Sequence, residues 1–186
     1  KYGFSYLYQP HFTQQTGLFS KNDINASEEI KKFLGAIPEK FKLIEINLNT
    51  GNDVTEFGKF KIGKRKTHHL SLTKPIEELR KNYSENLRRN LKKAKQVVQT
   101  IESGPELKSI IELFRSERGK QIEQLGDKEY EMLEEIVRQA EIRNCVEIIY
   151  SKNREGKIIA GAVFLKSFSS YIFLFSATGP EAKESG

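Results

Sequence analysis

Cysteine is nearly missing from this chain: Cys145 is the only one in 186 residues. A lone cysteine excludes an internal disulfide and is what a reducing compartment permits, so a cytoplasmic location is the expectation. Cys145 reads as a small core residue entering a strand rather than as a nucleophile. Long apolar runs are also lacking. None approaches the roughly 20 residues that a helix needs to cross a bilayer, so no membrane span is expected. The first residues do not carry the basic, apolar and small-residue pattern of a secretory leader. There is no G-x-S-x-G elbow, no phosphate-binding P-loop and no G-x-G-x-x-G. No Ser/His/Asp or Cys/His set can be assigned, so the catalytic residues stay unknown. His68 and His69 are adjacent; on a strand they point to opposite faces and cannot easily share a metal. No other His or Cys has metal-site spacing, and no metal is expected.

What the chain does have is charge in one place. The net charge is +6, and Glu78–Gln96 holds seven basic and two acidic residues, so five of the six net positive charges fall there. Hydrophobic residues make up 37% and charged residues 30%, polar for a globular chain but far from disordered composition.

The pattern along the chain changes once. Residues 2–8 alternate strictly, with Tyr2, Phe4, Tyr6 and Tyr8 on one face, and read as a strand ended by Pro10. A polar loop follows. Ser27 then suits a helix cap, Glu28 and Glu29 its first turn, and Ile30, Phe33 and Leu34 its apolar stripe, up to Gly35 and Pro38. Residues 41–48 are apolar on both faces and predict an interior strand. Residues 56–72 read as a further strand, broken at Gly63. From Thr73 to about residue 144 the period becomes helical. Leu79, Tyr83, Leu87, Leu91, Ala94 and Val98 form one stripe. Ser103-Gly104-Pro105-Glu106 has the form of a capping box. Leu107, Ile110, Ile111 and Phe114 make a second stripe, and Leu133, Ile136, Val137 and Ala140 a third. Strands return at 146–178: VEIIYS and IIAGAVFL as an antiparallel hairpin about a short turn, then SYIFLFSA, with Tyr171, Phe173 and Phe175 on one face.

Two groups of residues are candidates for binding on their own chemistry. Arg88, Arg89, Lys92 and Lys93 fall on one side of the basic helix, with Leu87 and Leu91 turned inward. Stacked cations repel, and an anion would relieve that, so this face suits a phosphate-bearing substrate or an RNA backbone. A solvated face is the plain alternative. Gln9, Gln14 and Gln15 leave the end of the first strand in a polar loop, where ligand contacts are common; a hydrogen-bonded connector is the other reading.

The element order of residues 75–178 resembles the first half of a GNAT-type acyltransferase domain, and that of residues 1–72 the second half of one. The segments NYSENLRRNLKKAKQ and YLYQPHFTQQTGLFS are similar to stretches of FemABX-like bacterial proteins of tandem GNAT architecture. The resemblance implies an α/β fold of mixed sheets with flanking helices. Residues 1–72 would be the second half of a first GNAT-like domain and residues 73–186 the first half of a second, with helices at 74–144 and strands at 146–178. The chain does not begin with Met and starts within an apparent strand, so a fragment is expected. Its last strand would then lack cover and favour self-association.

The implied activity is transfer of an acyl or aminoacyl group to an amine; a non-catalytic RNA- or nucleotide-binding module on the same scaffold is the alternative. Backbone amides near Phe175, Ser176 and Ala177 would meet the carbonyl oxygen of the donor. No covalently bound cofactor is implied. The donor stays open between acyl-coenzyme A and aminoacyl-tRNA, and TGPEAKESG stands where coenzyme A binders carry an Arg/Gln-x-x-Gly-x-Gly/Ala loop.

Overall fold

The computed structural model describes residues 3, 5–21, 26–58 and 60–184. The chain divides into two compact units, Lys1–Leu70 and Ser71–Gly186. It is a mixed α/β protein, with a two-stranded parallel sheet in the first unit and a four-stranded antiparallel sheet in the second.

In the first unit β1 (Ser5–Tyr8) pairs in parallel with β2 (Phe41–Glu45), and α1 (Ala26–Gly35) makes the crossover that a parallel pair requires. Ile30 and Leu34, one helical turn apart, are buried with Val54, and Leu18, Ile37, Ile46, Leu48 and Phe57 pack against them. The polar loop is fastened to the chain after β2. Thr16 bridges Asn47 and Asn49 through two backbone hydrogen bonds of 2.7 and 2.8 Å. Buried Asn52 closes the loop, accepting from the Leu18 amide at 2.6 Å and donating to its carbonyl at 3.1 Å. Gly17 has φ +105°, and a Cβ there would run into the Asn52 Oδ1, so both conformation and space demand glycine.

Four sequence expectations change here. Ser27 lies inside α1 and not at its cap, and Phe33 is exposed. The strand at 41–48 is not interior: it ends at Glu45 in a two-stranded sheet, and Leu43 is 65% exposed. Among the described residues 56–72 there is no strand. Val, Ile and Phe favour strands through contact with cross-strand neighbours, and this segment has none. Tyr2 and Phe4 lie outside the described residues, while Tyr6 and Tyr8 share a face and stack at 5.4 Å.

The second unit opens with α2 (Ile76–Lys81) and α3 (Glu85–Val97). The stripe read across 79–98 predicts one helix. Asn82 ends the first piece and Ser84 starts the second, its Oγ accepting from the Leu87 amide at 3.2 Å. Then comes β3 (Thr100–Ser103), in a stretch read as helical. Val97, Val98, Thr100 and Ile101 are β-branched, which disfavours helix and favours strand. Gln99 starts the ladder by donating to the Lys152 carbonyl at 2.8 Å. Ser103 is therefore not a cap; its Oγ donates to the Ile148 carbonyl, and Ser109 Oγ takes up the Glu106 carboxylate.

Next are α4 (Leu107–Ser116), a 3₁₀ turn at Arg118–Gln121 and α5 (Asp127–Ile142). Strands β4 (Val146–Lys152), β5 (Ile158–Ser167) and β6 (Ser170–Thr178) follow, then α6 (Pro180–Glu184). The sheet order is β3-β4-β5-β6, so β3 and β6 are its edges. The β4–β5 turn is organised by buried Asn153, whose Oδ1 accepts from the amides of Glu155 and Lys157. One face of the sheet is the core: Ile148, Tyr150, Ile159, Val163, Phe175 and Ala177 are buried on it. Ile110 and Ile111 of α4 and Leu133 and Val137 of α5 supply the other side.

The aromatic face read for β6 is split. Val163 pairs with Phe175 but Phe164 pairs with Phe173, so Leu174 is the extra residue of a bulge. Phe175 stays in the core at 7% exposure, 4.8 Å from the Phe114 ring, while Phe173 turns to the other face and is 50% exposed. Tyr171 and Phe173 gather with Phe164 there.

The close approach of α4 to the sheet yields a stability prediction. A Cβ on Gly161 would lie 2.5 Å from both Cδ1 and Cγ1 of Ile110, which is fully buried. Gly161→Ala should destabilise the second unit by about 1–3 kcal/mol, read as a lower urea midpoint with unchanged slope. An unchanged midpoint would show that α4 is not seated on Gly161.

Candidate functional site

The four cations singled out in the sequence lie on α3, but they are not equivalent. Arg88 Nη2 donates to the Lys81 carbonyl at 2.7 Å and to the Arg80 carbonyl at 3.4 Å. It thus caps the C-terminus of α2, where a cation is favoured by the helix dipole. Arg89 Nη2 donates to Asn86 Oδ1 at 2.6 Å. Lys92 and Lys93 make no hydrogen bond or ion pair among the described residues. The inward turn expected of Leu87 and Leu91 is not found: they are 41% and 42% exposed, and α3 buries no residue. The helix approaches α6, and neither α2 nor α3 buries a residue.

That contact brings α3 near the end of β6, since only Gly179 separates β6 from α6. Gly179 donates to the Ile159 carbonyl at 2.8 Å. In an antiparallel pair the peptide groups alternate between the partner and the outside. Ala177 and Phe175, opposite Gly161 and Val163, therefore turn their amides toward β5, and Ser176 turns its amide to the unpaired outer edge. Of the three backbone positions named from the sequence, one is available to a ligand.

Gln9, Gln14 and Gln15 belong to the first unit and separate there. Gln9 is a connector: its Nε2 donates to the Thr13 carbonyl at 2.5 Å and its Oε1 accepts from the Asn47 amide at 2.6 Å. Gln14 and Gln15 line a cleft of about 760 Å³.

One cluster escaped the sequence reading. Glu102 and Tyr150 are opposite each other on β3 and β4. Glu102 Oε2 accepts from Lys152 Nζ at 2.7 Å and from the Tyr150 hydroxyl at 3.2 Å, and Oε1 accepts from Thr100 Oγ1 at 2.8 Å. The Lys152 hydrogen bond, with that of Thr100, holds the Glu102 carboxyl below its ordinary range. Burial, with the hydrogen bond to Glu102, pushes Tyr150 up, and Glu102 raises Lys152. Both shifts favour the protonated forms, the phenol of Tyr150 and the ammonium of Lys152. The cluster ties the short edge strand β3 to β4. Its members are about 50 residues apart, and they come together only through a strand that the helical period concealed. Among the described residues no group of three or more His, Cys, Asp or Glu side chains converges as a metal site.

The sign of the pH effect follows. A carboxyl with a lowered folded pKa adds stability above its ordinary value of 4.5, and that stability is lost as pH falls through the folded value. Glu102→Gln should therefore lower stability at neutral pH and flatten its fall below about pH 4.5, as followed by urea denaturation across that range. An unchanged acid limb would mean that Glu102 carries none of it.

Comparison of the chain with family models, with curated proteins and with solved structures finds no match in any of the three.

Proposed function

We propose that the chain is part of an N-acyltransferase that moves an acyl or aminoacyl group onto an amine, with a phosphate-bearing substrate held on α3. The observation that carries this reading is the position of Lys92 and Lys93, unpaired among the described residues, on a helix that approaches α6, directly after the edge strand β6. The resemblance to tandem GNAT proteins of the FemABX-like kind supports the same reading, and with it a bacterial, cytoplasmic setting. Among the described residues no helix is long and apolar enough to cross a membrane.

In such a transfer the amine attacks the acyl carbonyl carbon and a C–N bond forms. The carbonyl oxygen becomes an oxyanion, the C–S or C–O bond to the donor breaks, and the amine loses a proton. The outward amide of Ser176 suits the oxyanion. The cations of α3 suit the phosphates of a coenzyme A or a tRNA. Self-association through the open face of the four-stranded sheet, where Phe164, Tyr171 and Phe173 gather, belongs with this reading.

A second reading is a non-catalytic RNA- or nucleotide-binding module on the same scaffold, which needs only the cations of α3, where Lys92 and Lys93 make no hydrogen bond or ion pair among the described residues.

The test separates the two. Lys92→Glu with Lys93→Glu removes cations that have no partner among the described residues, whereas Arg88→Glu would also uncap α2. The double variant should bind tRNA about tenfold or more weakly, and its slope of log affinity against log salt should shrink by about 2. Amide formation from aminoacyl-tRNA or acyl-coenzyme A with amine acceptors would establish transfer, and the variant should lose it in parallel. Binding with this salt behaviour but no amide product would favour the second reading. Identical salt curves for both proteins would overturn the anion site.

A further inference from the structure

The cleft in the first unit lies between the chain at Ile44–Leu48 and the irregular segment Phe60–Thr67. Its volume, about 760 Å³, is that of a site for a small ligand or short peptide. One wall is backbone. On the β1 side the Asn47 carbonyl accepts from Thr16, the Asn47 amide donates to Gln9, and the Asn49 amide donates to Thr16. Peptide groups alternate along an extended chain, so those of Ile46 and Leu48 turn the opposite way. Among the described residues nothing pairs with them. The other wall is cationic: Lys61, Lys64, Arg65 and Lys66 line it, against the carboxylates of Glu45 and Asp53. Only one of these pairs approaches, Arg65 to Glu45 at 3.9 Å, with both side chains mostly exposed.

We propose that this cleft takes a short, extended, acidic peptide, added as a strand to the free edge beyond β2. An exposed edge offers both N–H donors and C=O acceptors at strand spacing, and an added strand satisfies both. A phosphate or a nucleic-acid backbone offers acceptors only and would leave the Ile46 and Leu48 carbonyls unpaired. The charge of the facing wall selects the side chains: carboxylates on the peptide meet four cations and relieve their mutual repulsion. The exposed apolar side chain of Ile62 on the same wall suits the alternate residues of such a strand. This inference concerns the first unit alone and stands or falls apart from the anion face on α3.

The experiment is fluorescence anisotropy of the full chain with a labelled hexapeptide of alternating valine and glutamate. The acidic peptide should bind. The same peptide with lysine for glutamate should not. A version N-methylated at alternate residues, which keeps its charge but loses its strand donors, should lose binding. Lys64→Glu with Arg65→Glu, both at exposed positions, should weaken the acidic peptide about tenfold or more. Equal binding of the N-methylated peptide would overturn strand addition. Failure of the acidic peptide to bind, equal binding of the lysine peptide, or full displacement by inorganic phosphate would overturn the proposal as a whole.

Discussion

The contact between α4 and the middle of β5 governs the second unit. Glycine at 161 lets the helix descend until Ile110 fills the space a side chain would hold. That depth brings Phe114 onto Phe175 and Tyr130 against Phe114, and one face of the sheet closes. On the opposite face Ile149, Ala162 and Phe164 are half-buried, while Tyr171 and Phe173 are exposed. The unit is therefore uneven: tightly packed where Gly161 permits it, and more open on the other side of β6.

Legibility in the sequence followed how local the physics is. The stripes of α4 and α5 and the β4–β5 hairpin could be read because each rests on periodicity or on a turn a few residues long. The strand at 100–103 could not, since its helical neighbours set the period and its partner lies 50 residues on. The strand expected at 56–72 failed for the reverse reason: its composition suits a sheet, yet composition does not provide a neighbour. The exposure of Leu87 and Leu91 was hidden in the same way, because a stripe announces only that cover is wanted.

The candidate site was legible as a composition and not as a set of roles. Four cations on α3 look alike in the sequence. In the fold Arg88 holds the end of α2 and Arg89 leans on Asn86, which leaves Lys92 and Lys93 as the pair without internal duties. Among the three glutamines, Gln9 ties the loop to the chain after β2, while Gln14 and Gln15 reach the cleft. Helix breaks and loop closures make these distinctions, and both depend on hydrogen bonds that a residue pattern does not contain.

The extra residue at Leu174 has a consequence for assembly of the sheet. The two-residue turn at Phe168-Ser169, closed by the Ser167–Ser170 pair, fixes the β5–β6 register at its own end, and the bulge bears on the far end. With Leu174 unpaired, any slide sets the irregular step against a regular stretch of β5 and carries Phe175 out of its place beside Phe114. The bulge is a notch that holds the far half of the ladder to the seating the turn has set.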